Sequence, residues 1–432
     1  MALPVGEPVG PVRGMVLDKQ GRPLPDQIVA VGAEKTTTDG EGRFALPKMP
    51  AGYDLIVASP GGTHVTVFQG LTRRDPIVVH DGPRPKPRPH RAQIVVTVPG
   101  AEATMRWQVH FASPRAHAPL AGKLWNISTG KTPDRNPLVV EWDGADTFTG
   151  VVMVLSMGLD SPLASFAQRE LTLRAGETAS VALAPEKVRA VRRPQAKIAL
   201  PGDAAPRNTP IREEYRLPAD GFALLGPGLA GAAYELPDLR SFGLQLCVEG
   251  FRWNQDLRSR RAQCGVDLGA LTSFELQRPP AFTAPAWDTF ATPDVRFVWT
   301  AVPGAVYHLR LVGRSGRATA ARPDIEVVTA QTTAGWPDLH AVGASFPTEL
   351  GVYTAAVGVS GPFASIDELA GPRGFGDLAP RDRWTAEAPP LSIRTRPPGS
   401  TAEPPGLCAS ALPPAPEGST DLGWGRNVCS RR

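Results

Sequence analysis

Val12-Arg-Gly-Met-Val-Leu-Asp18 sets the architecture of the N-terminal region, because apolar and polar residues alternate along it. It ends at a turn-forming run, Lys19-Gln-Gly-Arg-Pro-Leu-Pro25, and Ile28-Val-Ala-Val31 follows as a second short apolar run. The same pattern returns in Arg43-Phe-Ala-Leu46 and Tyr53-Asp-Leu-Ile-Val-Ala58. Short alternating runs separated by Gly and Pro indicate the strands of a β-sandwich.

The composition of the whole chain agrees with a β-sandwich architecture. Among 432 residues there are 44 Gly and 47 Pro, 42 % of the residues are hydrophobic and 20 % are charged. Gly and Pro are therefore well above their usual share, yet enough apolar residues remain to build cores. This balance favours β-rich modules joined by loops, and it argues against a coiled coil, a helical bundle or a membrane channel.

A family resemblance is carried by glycines, aspartates and aromatic residues at fixed spacing. The order is Gly14-x-Val16-x-Asp18-x-x-Gly21-x-Pro23, then Thr38-Asp-Gly-x-Gly42-x-Phe44, then Pro50-x-Gly52-Tyr53. It resembles the carboxypeptidase regulatory-like domain over residues 10–80. The resemblance implies a seven-stranded transthyretin-like sandwich that acts as a scaffold. A peptidase of that name would need a His-x-x-Glu zinc motif, and none of the seven histidines has a Glu three residues later.

A second, more generic resemblance lies near the C-terminal end. Val295-Arg-Phe-Val-Trp299 places a Trp on an early strand, and Leu350-Gly-Val-Tyr-Thr-Ala-Ala-Val357 places Tyr353 on a late one. Residues 281–396 therefore resemble a fibronectin type III or immunoglobulin-like sandwich. The resemblance implies that Trp299 and Tyr353 are core residues.

The chain is thus expected to be all-β, with tandem β-sandwich domains and a Pro-rich, disulfide-stapled C-terminal tail. Composition shifts divide it into seven parts. These are an N-terminal tether (1–9), the carboxypeptidase regulatory-like sandwich (10–80), a Pro-rich linker (81–90), a second sandwich (91–185), an irregular β module with a disulfide (186–280), the fibronectin- or immunoglobulin-like sandwich (281–396), and a Pro/Gly-rich tail with a disulfide (397–432).

The four cysteines form two local pairs, Cys247 with Cys264 and Cys408 with Cys429. Neither pair has the CxxC spacing of a zinc site. Two nearby pairs without an odd cysteine predict two disulfides and an oxidising compartment, the alternative being four reduced thiols in a cytosolic protein. We therefore expect an extracytoplasmic protein, at a cell surface, outer membrane-associated or secreted.

Net charge and hydropathy restrict the classes of binding partner that the sequence predicts. The net charge is only +4, too small to indicate nucleic acid binding. The longest apolar stretch, near Val151 to Leu155, is too short to span a bilayer. The first residues lack the pattern of a signal peptide, so we expect a mature form whose leader has been removed, compatible with a lipid anchor.

No motif for catalysis is found. Gly313-Arg-Ser-Gly316 and Gly358-Val-Ser-Gly361 lack the spacing of a nucleophile elbow and are interpreted as turns, and no Walker or dinucleotide-binding glycine motif is present. We expect no enzyme, no cofactor and no resident metal. The remaining cofactor candidate is calcium, for which Asp39 with Glu41, or Asp143 with Asp146, supply too few oxygens for a confident site.

Three tryptophans lie in loop-like sequence and are candidate contacts for a glycan or a protein partner: Trp125, Trp336 and Trp424. The Arg-, Ala-, Pro- and Gly-rich composition is typical of a high-GC bacterium. The sequence therefore predicts a non-enzymatic extracytoplasmic structural or interaction protein, a subunit of a bacterial cell-surface or envelope assembly or appendage. The alternative is a carbohydrate-binding surface protein, and a third reading is an enzyme whose histidines or carboxylates converge between domains.

Overall fold

A computed structural model gives the structure of most of the chain between Gly10 and Thr395. Strands dominate throughout, which confirms the all-β prediction. The tail after Thr395 lies outside the described residues. The described ranges are 10–19, 21–82, 90–99, 105–112, 125–127, 137–142, 146–158, 164–193, 197–199, 210–216, 222–229, 234–253, 258–270, 272–286, 290–314, 323–344, 351–374 and 382–395.

The N-terminal module, residues 10–80, forms strands over the four alternating runs quoted above, and it forms three more. Asp18 and Gly21 make the first turn, in which the Gly21 N–H donates to the Asp18 carbonyl at 2.9 Å and Gly21 has φ of 78°. Gly14 allows a close approach, because a Cβ there would lie 2.4 Å from the Pro76 carbonyl oxygen. The strands are β1 (Gly10–Leu17), β2 (Ile28–Val31), β3 (Glu34–Thr37), β4 (Arg43–Met49), β5 (Tyr53–Ala58), β6 (His64–Leu71) and β7 (Ile77–Val79).

The second module consists of two packed sheets whose strands extend from His90 to Val188, slightly beyond the predicted bounds of 91–185. One has the strand order β10-β9-β12-β13-β15 and the other β11-β8-β14. Their shared core includes Trp142, which is 1 % exposed. The strands are β8 (His90–Thr97), β9 (Met105–Ala112), β10 (Trp125–Ile127), β11 (Leu138–Trp142), β12 (Thr147–Gly158), β13 (Ala164–Arg174), β14 (Thr178–Ala182) and β15 (Glu186–Val188).

The third module, residues 186–280, is built around one hairpin, in which Cys247 lies directly opposite Cys264. Its strands are β16 (Ala190–Arg193), β17 (Lys197–Ala199), β18 (Pro210–Arg216), β19 (Phe222–Leu229), β20 (Tyr234–Pro237), β21 (Gln245–Trp253), β22 (Arg258–Cys264) and β23 (Ser273–Glu275).

The fourth module, residues 281–396, buries Trp299 and Tyr353 in its core, as predicted. A one-turn helix, α1 (Ile366–Leu369), follows its longest strand, and the Ser365 side chain caps this helix by accepting from the Glu368 N–H. The strands are β24 (Phe282–Ala284), β25 (Phe290–Ala291), β26 (Arg296–Trp299), β27 (Val306–Arg314), β28 (Asp324–Thr329), β29 (Thr333–Gly335), β30 (Gly351–Gly361), β31 (Asp382–Glu387) and β32 (Leu391–Thr395).

The first and fourth modules share one sheet. Strand β6 pairs in parallel with β28, with Val65 beside Ile325 and Val67 beside Val327. The sheet runs β22-β31-β30-β27-β28-β6-β5-β2-β3 through this joint. Two segments that are far apart in the sequence are therefore held together by backbone hydrogen bonds.

Both faces of this sheet are covered near the joint. On one face Val65, Val67 and Val327 pack with Trp299 and Leu309 of the fourth module. On the other face a second core contains β1 and β4 together with residues of the fourth module, namely Val306, Val328, Phe363, Ile366 and Ala370. Strands with both faces buried are expected to be apolar almost throughout, as β5 is apart from Asp54, whereas β6 carries His64, Thr66 and Gln69 among its apolar residues.

Two more contacts connect the remaining modules. Strand β22 of the third module pairs antiparallel with β31 of the fourth. Strands β12 and β13 of the second module bury Met153, Leu155 and Phe166 against leucines of the third. The modules therefore contact one another in the order first, fourth, third, second. Within the described ranges no helix has the length and apolar character needed to cross a membrane.

Candidate functional site

The polar side chains that gather near the joint lie on one face of the shared sheet. Along β6, β28, β27 and β30, every second residue is apolar and belongs to the core that contains Trp299, and the residues between them point to the opposite face of the sheet. We call this group the polar seam, and it consists of His64, Thr66, His80, His308, Arg310, Asp324, Glu326 and Ser360.

The centre of the polar seam is a line of three hydrogen-bonding side chains on adjacent strands. Ser360 Oγ lies 2.9 Å from His308 Nε2, and His308 Nδ1 lies 3.1 Å from Glu326 Oε1. Arg310 Nε donates to the same Glu326 oxygen at 3.4 Å. We call Ser360, His308 and Glu326 the relay.

Electrostatics keep the acid of the relay ionised. Burial disfavours the charge on Glu326, but the hydrogen bond and charge of His308 and the charge of Arg310 outweigh it and lower the pKa of Glu326 to about 2. The Glu326 side chain is 16 % exposed and the His308 side chain 24 %. A carboxylate, an imidazole and a hydroxyl in this order can move a proton from the hydroxyl to the imidazole.

A second imidazole in the polar seam has a different environment. His80 Nδ1 lies 2.8 Å from Thr66 Oγ1, and the His80 ring is packed beside Gly82. Burial lowers the pKa of His80 to about 4, helped by the nearby charge of His64 and opposed by Glu326 and Asp81. His80 is therefore neutral at physiological pH.

Two side-chain contacts join the first and fourth modules at opposite ends of the joint. His64 Nε2 lies 3.6 Å from Asp324 Oδ2. Asp367, in α1, accepts hydrogen bonds from the Thr72 N–H at 2.8 Å and the Arg73 N–H at 3.0 Å. The main chain adds a third link, from the Ile77 N–H to the Ala370 carbonyl at 2.7 Å.

The predicted cysteine pairs have different outcomes. Cys247 and Cys264 form a disulfide between β21 and β22, which confirms this pairing. Cys408 and Cys429 lie outside the described residues, so the tail disulfide stays a prediction.

The three candidate tryptophans are not brought together by the described structure. Trp336 is 9 % exposed and packs edge-on against Tyr353, with ring centroids 5.1 Å apart, so its faces are largely covered by the core. Trp125 lies on β10 opposite Val109, and nothing is described of its side chain. Trp424 lies outside the described residues. A glycan or partner contact at these residues stays a prediction.

The carboxylates considered for calcium act in turns or on the surface. Asp39 Oδ1 accepts from the Glu41 N–H at 2.9 Å and from the Arg43 N–H at 2.8 Å. Asp146 lies 3.7 Å from His90 Nε2, and Asp143 lies outside the described residues. Among the side chains that the structure places, no group of three or more His, Cys, Asp or Glu residues is positioned to hold a metal ion.

The relay was missed by motif searching. Its residues lie on three strands, and the signal in the sequence is only a polar residue inside each apolar run: His308 in β27, Glu326 in β28 and Ser360 in β30. Alternation predicts that such residues face away from the core, but it does not predict which strands become neighbours.

Comparison with known proteins gives little further information. No family model matches the chain, and no curated protein is significantly similar to it. One solved structure, the Bacillus anthracis TIE protein, aligns with 13 % identity and a TM-score of 0.15 over 63 % of this chain and 51 % of the other, so the alignment spans about half of that protein. Another, a streptococcal ancillary pilin, aligns with 8 % identity and a TM-score of 0.14 over 62 % and 99 %. These scores are too low to support a shared fold or function.

Proposed function

We propose that the chain is a structural or interaction subunit of a bacterial cell-surface or envelope assembly, and that this role needs no catalytic step. The observation that carries the proposal is the shared sheet, in which β6 and β28 join the first and fourth modules. Backbone pairing on this scale holds modules at a fixed orientation, which is a useful property in a protein that spaces or supports partners.

The disulfide supports the extracytoplasmic part of the proposal. Cys247 is 3 % exposed, and its bond to Cys264 lies in the hairpin that also pairs with β31. Structural disulfides persist in oxidising compartments. The bond thus reinforces the strands through which the third and fourth modules are connected.

Cross-linking in the bacterial source tests the proposal. The full chain, carrying an affinity tag, is cross-linked on intact cells with a membrane-impermeant reagent, and free thiols are alkylated before lysis. We expect a stoichiometric protein partner, with Cys247 and Cys264 recovered as a disulfide. Tagged protein added after lysis is the control for adventitious association.

Three results would contradict the proposal. Absence of any cross-linked protein excludes a stable assembly. Retention on envelope polysaccharide without a protein partner supports the carbohydrate-binding alternative. Alkylation of Cys247 and Cys264 before reduction places the protein in a reducing compartment.

A further inference from the structure

The relay has the geometry by which a serine hydroxyl becomes a nucleophile. Ser360, His308 and Glu326 are held by three neighbouring strands, β30, β27 and β28, and not by a loop. Both hydrogen bonds have ordinary lengths, 2.9 Å and 3.1 Å. Groups on paired strands keep their relative positions, so the arrangement is fixed before any ligand arrives.

The direction of each hydrogen bond follows from the charge of Glu326. An ionised carboxylate only accepts hydrogen bonds, so His308 Nδ1 must carry a proton and donate it. In the neutral imidazole this leaves the lone pair on Nε2, which then accepts from the Ser360 hydroxyl. Glu326 therefore selects the tautomer in which His308 is a base toward Ser360.

A slender ligand can approach Ser360 along β30. Gly358 lies directly opposite His308 and, like Ala356, is partly exposed, so β30 itself places no large side chain beside the relay. Glu387 of β31 and Arg310 of β27 flank these two positions. A Cβ at Gly358 would lie 3.5 Å from the Ala386 carbonyl oxygen, which is an ordinary contact distance, so the backbone around this glycine is not crowded. Ser360 itself is 6 % exposed, which admits only a small, unbranched group.

We propose that Ser360 is a nucleophilic serine that accepts the acyl group of esters of small carboxylic acids. Ser360 Oγ bonds to the carbonyl carbon while its proton passes to His308 Nε2. The bond between that carbon and the alcohol oxygen breaks, and the alcohol leaves with the proton from His308. Water attacks the acyl-serine by the same route and releases the acid. This activity goes beyond the structural role proposed above.

The polar seam contains a second hydroxyl–imidazole pair with which the pair of Ser360 and His308 can be compared. Thr66 also hydrogen-bonds an imidazole, that of His80, at 2.8 Å. The other nitrogen of that ring, His80 Nε2, has no hydrogen-bond partner among the described residues, so no carboxylate orients it. Of these two hydroxyl–imidazole pairs, only the pair of Ser360 and His308 includes a carboxylate, Glu326. We therefore expect reactivity at Ser360 and not at Thr66.

A fluorophosphonate probe tests the proposal on the full chain, since such probes phosphonylate activated serines and release fluoride. We expect one phosphonate per chain, on the peptide that contains Ser360, and acetate release from p-nitrophenyl acetate. Ser360→Ala abolishes both reactions. His308→Gln slows labelling by a factor of about 10²–10⁴, the usual contribution of a general base.

Two further variants separate chemistry from folding. Ser259→Ala removes another buried serine, 1 % exposed, which pairs with Ala386 on the face of the sheet opposite Ser360 and should label like the wild type. Glu326→Gln removes the carboxylate that orients His308 and should slow the labelling of Ser360, whereas Glu326→Asp keeps a carboxylate and should restore part of the rate, which a merely structural residue would not do. Circular dichroism confirms that each variant is folded. Absence of labelling in the wild type, or labelling that persists in Ser360→Ala, overturns the proposal.

Discussion

Val67 of β6 and Val327 of β28 are neighbours in one parallel strand pair, although one belongs to the first module and the other to the fourth. Both side chains are buried in the same core, Val67 at 2 % and Val327 at 0 % exposure. The first module therefore owes part of its stability to the fourth. Unfolding of one is expected to expose the other.

Truncating this contact should destabilise both modules together. Val327→Ala leaves a cavity in the shared core and should lower the free energy of unfolding by about 1–3 kcal/mol. Hydrogen exchange measured by mass spectrometry should show faster exchange in β6 as well as in β28. Val312→Ala, at a position on β27 that is 44 % exposed, is the control and should change neither quantity. Faster exchange confined to the fourth module would contradict the coupling.

The carboxylate of Asp367 should stabilise the joint in a pH-dependent way. Partial burial raises the pKa of Asp367, but hydrogen bonds from Thr72 and Arg73 outweigh this and lower it overall. The stabilisation is therefore complete above the ordinary pKa near 4 and is lost as the pH falls through the lower, folded-state pKa.

Asp367→Asn tests this by urea denaturation, with an expected loss of about 1 kcal/mol at pH 7, because solvent around the partly exposed carboxylate weakens the hydrogen bonds that it accepts. The control is Asp75→Asn, which alters an exposed ion pair with Arg73. Such pairs contribute little, so its stability should be nearly unchanged. Equal losses in the two variants would contradict the role of Asp367.

Removing the Cys247–Cys264 disulfide should destabilise the third module. In the chain-entropy model, a loop of this size closed by a disulfide gains about 3 kcal/mol. The double variant Cys247→Ala/Cys264→Ala should show this loss in urea, and reducing agent should then have no further effect on the third module. Reductant that destabilises the wild type and the double variant equally would locate the effect at another disulfide.

Stability should rise with pH between about 4 and 6.5 because of buried histidines. Burial lowers the pKa of both His80 and His110 to about 4, whereas the unfolded chain protonates them near 6.5. The unfolded state thus binds more protons in this window, and acidification favours it by up to about 3 kcal/mol per histidine.

His80→Gln should remove about half of this pH dependence. The measurement is the urea midpoint at several pH values, and His340→Gln, at an exposed residue, is the control. His64, Asp81 and Glu326 also act on His80, so their charges remain in the variant. An unchanged slope in His80→Gln would show that His80 binds protons equally in the folded and unfolded states, which contradicts the lowered pKa.

Local patterns were enough to predict most strands of the first module and the pair Cys247–Cys264. Strand β3 was missed, because Glu34–Thr37 is an edge strand with mostly exposed residues and no apolar alternation. Charged residues at such an edge protect it from pairing with other chains. Because they replace the apolar residues, the alternating pattern that identifies a strand is absent there.

The shared sheet and the relay could not be predicted from local patterns. The apolar residues of β6 predict a strand, but they do not identify β28 as its partner. His308 and Ser360 are diagonal neighbours only because β27 and β30 pair with Val306 opposite Ser360 and Gly358 opposite His308. Long-range pairing is set by the total packing of the cores, which no short stretch of sequence contains.

The most direct test of the joint is a designed cross-link between its strands. His64 and Asp324 are paired positions in β6 and β28, and both are accessible at the edge of the core. Paired strands lie about 4.8 Å apart, within the range that a disulfide can bridge. The double variant His64→Cys/Asp324→Cys should therefore form this disulfide on mild oxidation, seen as one linked peptide by mass spectrometry, whereas Glu41→Cys/Asp324→Cys should not. A folded His64→Cys/Asp324→Cys protein that yields no linked peptide would contradict the shared sheet.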